Sequence, residues 1–389
     1  MNKTYSYGKQ FIEDDDIQAV IDVLKSDWLT QGPTIGHFEK SLCEELGASY
    51  ASVVANGTAA LHLAGVALGW VKEDVVLTTP MTFLATANCI LYAGASPDFV
   101  DIDEISYTID VNKLEDKVRD YRKKGKKIKA VIGVDYAGHP CEWESLRFLA
   151  DKYEFQLIDD ACHAMGAKYK NDKNYASKYA DVTILSFHPV KHITTGEGGA
   201  VLTKSERLDE KIKTLRTHGM TKSKSMLEKN DGPWYYEMHE LGFNYRITDI
   251  QCALGISQLK KLDHFVEKRQ HIAHYYDSIF VKNEHLIVPQ TAELTSHAYH
   301  IYPLQIKFDM ISIEKEKLFH HLREKDIFCQ VHYIPIHLQP YYKKKFGFQT
   351  GDFPVAEKFY KQEVSIPMHP QLEAEDLDYV TKNIWESLV

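Results

Sequence analysis

The six cysteines, Cys43, Cys89, Cys141, Cys162, Cys252 and Cys329, include no C-x-x-C pair, which argues against a zinc site or a dithiol redox motif. No metal is expected, and free thiols in a reducing cytoplasm are the default for such a set. Excess positive charge is also missing. Lys and Arg total 46 against 55 Asp and Glu, a formal net charge of −9. A nucleic-acid-binding face is therefore not expected, because such faces are basic. The residues from Met1 to Tyr7 lack the apolar core of a secretory signal. No apolar run suits a membrane span either. Ala51 to Trp70 comes nearest, but Asn56, Gly57, Thr58 and His62 interrupt it, so it reads as a buried strand, a turn and a helix. Internal repeats and low-complexity tracts are absent.

What is present is a long alternation. A chain of 389 residues has room for two domains and a large core. Ile12, Ile17, Val20, Ile21 and Leu24 predict an amphipathic helix over 12–25. Gly32-Pro33 punctuates a loop, and a second helix is expected over 38–46. Strands are expected at 51–55, 75–79, 97–102, 130–135, 156–158, 182–185 and 200–202. Helices are expected between them, among them one from Gly57 capped by Asn56 and one over 81–92. This pattern predicts an α/β fold with a mostly parallel sheet covered on both faces. A long helix is expected over 248–270. Beyond about 271 the elements shorten and Tyr and His become frequent, which predicts a smaller α+β domain. The expected division is a large domain over 1–250, then a linker helix and a small domain over 251–389.

One stretch organises the rest: Ser186-Phe187-His188-Pro189-Val190-Lys191-His192-Ile193-Thr194-Thr195-Gly196-Glu197-Gly198-Gly199. It is a polar turn between two apolar runs, with one lysine inside. A lysine at a strand end loses solvation, which lowers its pKa and makes its amine nucleophilic toward carbonyls. The bland alternative is a surface lysine in a glycine turn. Ligands in parallel sheets bind at the carboxyl ends of strands. Gly57-Thr58, Asp160 and Lys191 all share that address. A helix start seats a phosphate, an acid protonates a pyridine nitrogen and a lysine captures an aldehyde. Pyridoxal phosphate needs all three, and Phe83, just beyond another strand end, could stack on its ring.

The same stretch resembles the cofactor-lysine signature of the DegT/DnrJ/StrS-type sugar aminotransferases, which are fold-type I pyridoxal-phosphate enzymes acting on nucleotide-linked keto sugars. The resemblance runs along nearly the whole chain. It includes Leu29-Thr30-Gln31-Gly32, Asn56-Gly57-Thr58-Ala59-Ala60-Leu61, Thr79 to Asn88, Asp159-Asp160-Ala161-Cys162-His163-Ala164 and Gly242-Phe243-Asn244-Tyr245-Arg246. Asp135-Tyr136-Ala137-Gly138 and Gln330 to Ile336 resemble the pseudaminic-acid branch. That branch implies glutamate as amino donor and C4 of a UDP-linked 4-keto-6-deoxy N-acetylated hexose as acceptor.

The resemblance implies that Lys191 is the Schiff-base lysine and proton carrier, and that Asp160 pairs with the pyridinium nitrogen. It places His163 near the ring oxygen, Phe83 on the ring, and Gly57, Thr58 and Ser186 on the phosphate. Asn244 would join the phosphate from a partner subunit, in a homodimer with shared sites. Tyr7, Thr30, Gln31, Arg246, His332 and Tyr333 are implied sugar-nucleotide contacts. Asp159 stands where Glu is common in the family. Two alternatives are an aminotransferase for a dTDP- or GDP-linked keto sugar and a non-catalytic cofactor-binding regulator.

Overall fold

A computed structural model describes residues 3–388. Seven strands form the central sheet: β1 (Tyr50–Val54), β2 (Val75–Thr78), β3 (Ser96–Phe99), β4 (Ala130–Val134), β5 (Gln156–Asp160), β6 (Val182–Ser186) and β7 (Gly199–Thr203). Their spatial order is β1-β7-β6-β5-β4-β2-β3. Only β7 runs against the others, pairing antiparallel with both β1 and β6. The twelve residues joining β6 to β7 carry no helix to cross a sheet face, and the chain returns antiparallel beside β6.

Alternation along each strand feeds two cores. Val131 and Leu157 pack in one apolar cluster with Leu146 and Leu185, while Ile132 and Ile158 pack in the other with Leu61 and Ile184. Burial on both faces explains why these strands read as near-continuous apolar runs. It also sends Asp159 and Asp160 to opposite faces.

A second sheet is antiparallel: β8 (Leu286–Ile287), β9 (Tyr302–Ile306) and β10 (Glu363–Ile366), in the order β8-β9-β10. It carries a third apolar cluster with Tyr276, Phe280, Leu318 and Val380. The short strand Tyr5–Ser6 pairs with Ile327–Phe328, tying the chain start to this region.

Four elements differ from expectation by more than two residues, one of them the strand expected over 97–102, which ends at Phe99. The second helix spans Pro33–Leu46, beginning five residues before the expected start. Pro33 suits a first helical position, where no N–H is needed. The carboxylate of Asp249 accepts from the Gly32 and Thr34 amides at 2.7 and 2.9 Å, a distant cap that local sequence does not reveal. The next helix begins at Leu84 rather than Met81. Residues 80–82 bend instead of coiling, and the Pro80 carbonyl accepts from the Ile336 amide at 2.9 Å. The expected helix over 248–270 is two helices, Asp249–Leu259 and Leu262–Phe280. The break lies where Gln258 and Lys261 both reach buried Asp16, at 2.7 and 3.0 Å.

Candidate active site

Strand register assembles the site. Gly199 lies between Val54 and Ser186 across the sheet. The residues following Val54 therefore emerge beside Ser186. They are Asn56, whose side chain accepts from the Ala59 amide at 2.8 Å, and Gly57, the first residue of helix Gly57–Ala67. A Cβ on Gly57 would stand 3.0 Å from Ser186 Cβ, and one on Gly199 would stand 2.6 Å from the Asn56 carbonyl carbon. Glycine at both positions lets the helix start and the strand end touch. The Asn56 cap leaves the Gly57 and Thr58 amides without intrahelical acceptors. Both residues, with Ser186, line a cavity of about 630 Å³.

Asp160 ends β5 on the same wall and is 4% exposed. Thr86 donates its hydroxyl to one carboxylate oxygen at 2.7 Å, and the Cys162 amide donates to the other at 3.3 Å. Thr82 in turn bonds Thr86 at 2.8 Å. Asp159 points into the opposite core, where neither of its oxygens has a hydrogen-bond partner. Burial pushes its carboxyl well above the usual range, and the neighbouring Asp135 and Asp160 add to this.

Lys191 is half-buried in the turn after β6 and lines the cavity. Its amide donates to the His188 carbonyl at 2.9 Å, and Gly196 closes the turn with φ +80°. Lost solvation pushes the Lys191 ammonium down to about 8; Cys162 and Asp160 oppose the shift, while the Arg269 guanidinium adds to it. Nζ lies 3.3 Å from Nε2 of His300, a residue that the sequence reading missed. His300 is buried, and burial holds it well below its ordinary pKa, with Lys191 acting in the same direction.

His163, just beyond β5, meets Tyr333 from the loop that pairs with β10. The Ala137 amide donates to His163 Nδ1 at 3.3 Å, so His163 carries its proton on Nε2 and donates to the Tyr333 hydroxyl at 3.0 Å. Burial, first, and then Lys191 keep His163 neutral. Phe83 is 55% exposed, and its ring centroid lies 5.8 Å from that of Tyr333. Tyr7 packs against His332 with centroids 5.0 Å apart, and both line the cavity.

Ten of the fourteen expected site residues thus meet in one cavity: Tyr7, Gly57, Thr58, Phe83, Asp160, His163, Ser186, Lys191, His332 and Tyr333. Four do not. Gln31 and Arg246 line a separate polar cleft of about 290 Å³ with Glu39 and Arg216. Thr30 pairs with Thr248 and Asn244 with Thr217. Thr86 and His300 are the additions with direct contacts to Asp160 and Lys191. Thr86 lies within Thr79 to Asn88, at helical spacing from Thr82, a pairing the sequence could have suggested. His300 is distant in sequence and carried no such signal.

The cradle fits pyridoxal phosphate on its own geometry: unpaired amides at a helix start, a buried carboxylate and a lysine of depressed pKa on one wall, with Phe83 open beside them. The comparisons agree. A UDP-4-amino-4,6-dideoxy-N-acetyl-beta-L-altrosamine transaminase of Campylobacter jejuni is 43% identical over 383 residues, 98% of this chain and 97% of that protein. The solved Helicobacter pylori PseC, an aminotransferase involved in pseudoaminic acid biosynthesis, superposes with a TM-score of 0.90 at 34% identity, covering 99% of each chain. A putative sugar aminotransferase of Streptococcus pneumoniae, solved in its PLP form, is 26% identical with a TM-score of 0.87 over 100% of both chains. The DegT/DnrJ/EryC1/StrS aminotransferase family matches residues 10–385, and the chain belongs to that family of pyridoxal-phosphate enzymes.

Proposed function

We propose that this enzyme moves an amino group from glutamate to C4 of a UDP-linked 4-keto-6-deoxy N-acetylated hexose. The observation that carries the reading is Lys191 with its lowered pKa on the same cavity wall as Asp160, in a chain 43% identical to a transaminase of that name. When bound, pyridoxal phosphate supplies an electron sink for the pair released as a substrate C–H bond breaks. Asp160, fixed by Thr86, holds a proton at the pyridine nitrogen. Gly57, Thr58 and Ser186 hold the phosphate, and His163 and Phe83 position the ring. Lys191 attaches the group and, once its amine is free, carries the proton between carbons. Tyr7, His332 and Tyr333 face the sugar.

Asn244 and Arg246 serve the site of a second subunit, with Thr30 and Gln31 alongside. Their position outside their own chain's cavity supports this reading, as do the exposed apolar residues Trp234 and Leu241, 72% and 80% accessible, on the adjoining segment. The homodimer is two-fold, so both sites are equivalent. The enzyme works in the cytoplasm; among the described residues no helix is long and apolar enough to cross a membrane. The division of labour is a cofactor domain over 1–250 and a small domain over 251–389.

The test is turnover. Glutamate alone should convert the yellow protein to the pyridoxamine form, and a UDP-linked 4-keto sugar should restore it with release of an amino sugar. Restoration by dTDP- or GDP-linked keto sugars instead would move the substrate, and no response to glutamate would indicate a regulator. For the shared site, Lys191→Ala is mixed with an Asn244→Ala/Arg246→Ala variant under subunit exchange. Activity should reappear in heterodimers; its absence, with exchange confirmed by mass, would sink the arrangement.

A further inference from the structure

The loop that carries His332 is registered against β10. Gln330 pairs with Ser365, its amide donating to the Ser365 carbonyl at 3.0 Å and its carbonyl accepting from the Ser365 amide at 2.8 Å. Two residues further along this antiparallel pairing, His332 stands opposite Glu363. The His332 amide donates to Glu363 Oε2 at 2.9 Å. The Ser365 hydroxyl donates to Glu363 Oε1, and His332 Nδ1 lies 2.8 Å from Ser365 Oγ. All three are buried, Glu363 and Ser365 completely.

The directions follow from the donors available. Ionised, Glu363 only accepts. Its Oε2 is committed to a backbone N–H, so Oε1 takes the Ser365 proton. Ser365 Oγ then accepts from His332 Nδ1–H. That leaves Nε2 of His332 as a lone pair, on a residue that lines the cavity.

We infer that the buried Glu363–Ser365 pair fixes His332 as a hydrogen-bond acceptor that selects acceptor sugars presenting an O–H or N–H donor at this wall. Glu363 and Ser365 are positioning residues, acting through His332. The inference rests on the proposed nucleotide-sugar reading. It requires Glu363 to be charged. The titratable groups facing Glu363 are Lys315, Cys329, Tyr136, Tyr333 and His332. Burial pushes His332 down to about 3, so it is neutral; Lys315 is the group of opposite charge. Burial pushes Glu363 up to about 7, against the Ser365, Lys315 and His332 amide contacts. Below that pH a proton on Oε1 would donate to Ser365 and reverse the chain.

Glu363→Gln makes the reversal permanent. The glutamine carbonyl must face the His332 amide, so its NH₂ donates to Ser365. Ser365 then donates to His332 Nδ1, and the imidazole proton moves to Nε2. Long-range ¹H–¹⁵N spectra of ¹⁵N-histidine-labelled protein without substrate, assigned with His332→Asn, read this directly. The expected result is an Nδ1–H tautomer in the wild type at pH 8 and Nε2–H in Glu363→Gln. The KM for the nucleotide sugar should rise about tenfold or more, the scale of a reversed hydrogen bond. The KM for glutamate should change less than threefold. Wild-type KM for the sugar should rise as pH falls through about 7. Ser365→Ala, which breaks the chain without charge change, should raise the sugar KM too and stands in should Glu363→Gln fail to fold. Sugar analogues lacking the acetamido N–H or a ring hydroxyl identify the donor, as the one lost should cancel the mutant effect. An Nε2–H tautomer in the wild type, or an unchanged sugar KM in both variants, would overturn the inference. Failure of the wild type to accept any nucleotide keto sugar would instead overturn the substrate reading, leaving the tautomer measurement standing.

Discussion

The two walls of the cavity are built by different means. The wall with Lys191, Asp160, Ser186 and Gly57 rests on strand ends, where backbone register places each side chain. The part built by Tyr333 and His332 rests on side chains that hold one another across distant segments, Tyr333 meeting His163 from about 170 residues away. The first wall repeats a general property of parallel sheets, in which loops at the carboxyl ends converge. The second depends on how distant segments pack. In the proposed reading the strand-end residues and His163 hold the cofactor, while Tyr7, His332 and Tyr333 face the sugar.

The comparison can be broken most severely at the strand-end wall. Lys191→Ala should abolish covalent attachment, so that borohydride fixes no cofactor to the chain, and turnover should fall by about 10⁴-fold or more, since attachment and proton transfer go together. In the wild type stripped of cofactor, the rate of pyridoxal phosphate uptake should climb as pH rises through about 8 and then level, because the amine is free above that point. A midpoint near the ordinary lysine value would show that burial is not depressing it.

Next comes the carboxylate and its support. Asp160→Ala should cost roughly 10²–10⁴-fold in turnover, the scale of a positioned proton-holding group. Thr86→Val should cost about 10–100-fold, from the loss of a hydrogen bond to a charged group of about 1.5–3 kcal/mol. Equal losses in the two variants would mean that Thr86 does more than hold the acid. Steady-state kinetics with stopped-flow absorbance separates these outcomes.

The smallest effect sharpens the contrast between neighbours. Asp159 faces the core, so Asp159→Asn should leave turnover within a fewfold of the wild type. Its folded pKa is raised, so above the ordinary carboxylate value of about 3.9 the folded state holds a proton that the unfolded state has lost, and stability declines as pH rises. Asp159→Asn removes that penalty. Its melting temperature should match the wild type near pH 4 and exceed it at pH 8 by about 2–4 °C, as roughly 1 kcal/mol implies for a large domain. A lower melting temperature at pH 8 would place an ionised, partnered Asp159 in the core.

The sheet and its strand-end residues are legible in the sequence. Apolar runs buried on both faces, glycine at a helix start and a lysine in a tight turn after a strand are local patterns with local causes. Alternation alone separated Asp159 from Asp160, because side chains along a strand have a period of two. The earlier start of the helix at Pro33 was not legible, since its cap is Asp249, 217 residues away. The break at Lys260-Lys261 was hidden for the same reason, its partner being Asp16.

Pattern by itself determined the α/β class, the family and the placing of Lys191, Asp160, Gly57, Thr58, Phe83 and Ser186 at strand and helix ends that meet in one cavity, because the geometry of an ending is local. Tertiary structure alone decided that His300 stands beside Lys191, that Thr86 holds Asp160, that Gln31 and Arg246 lie in a second cleft, and that Ser365 and Glu363 stand behind His332. These contacts join segments distant in sequence. Hydrogen bonds between such side chains leave no periodic trace in the chain, since their geometry exists only after the two sheets have packed.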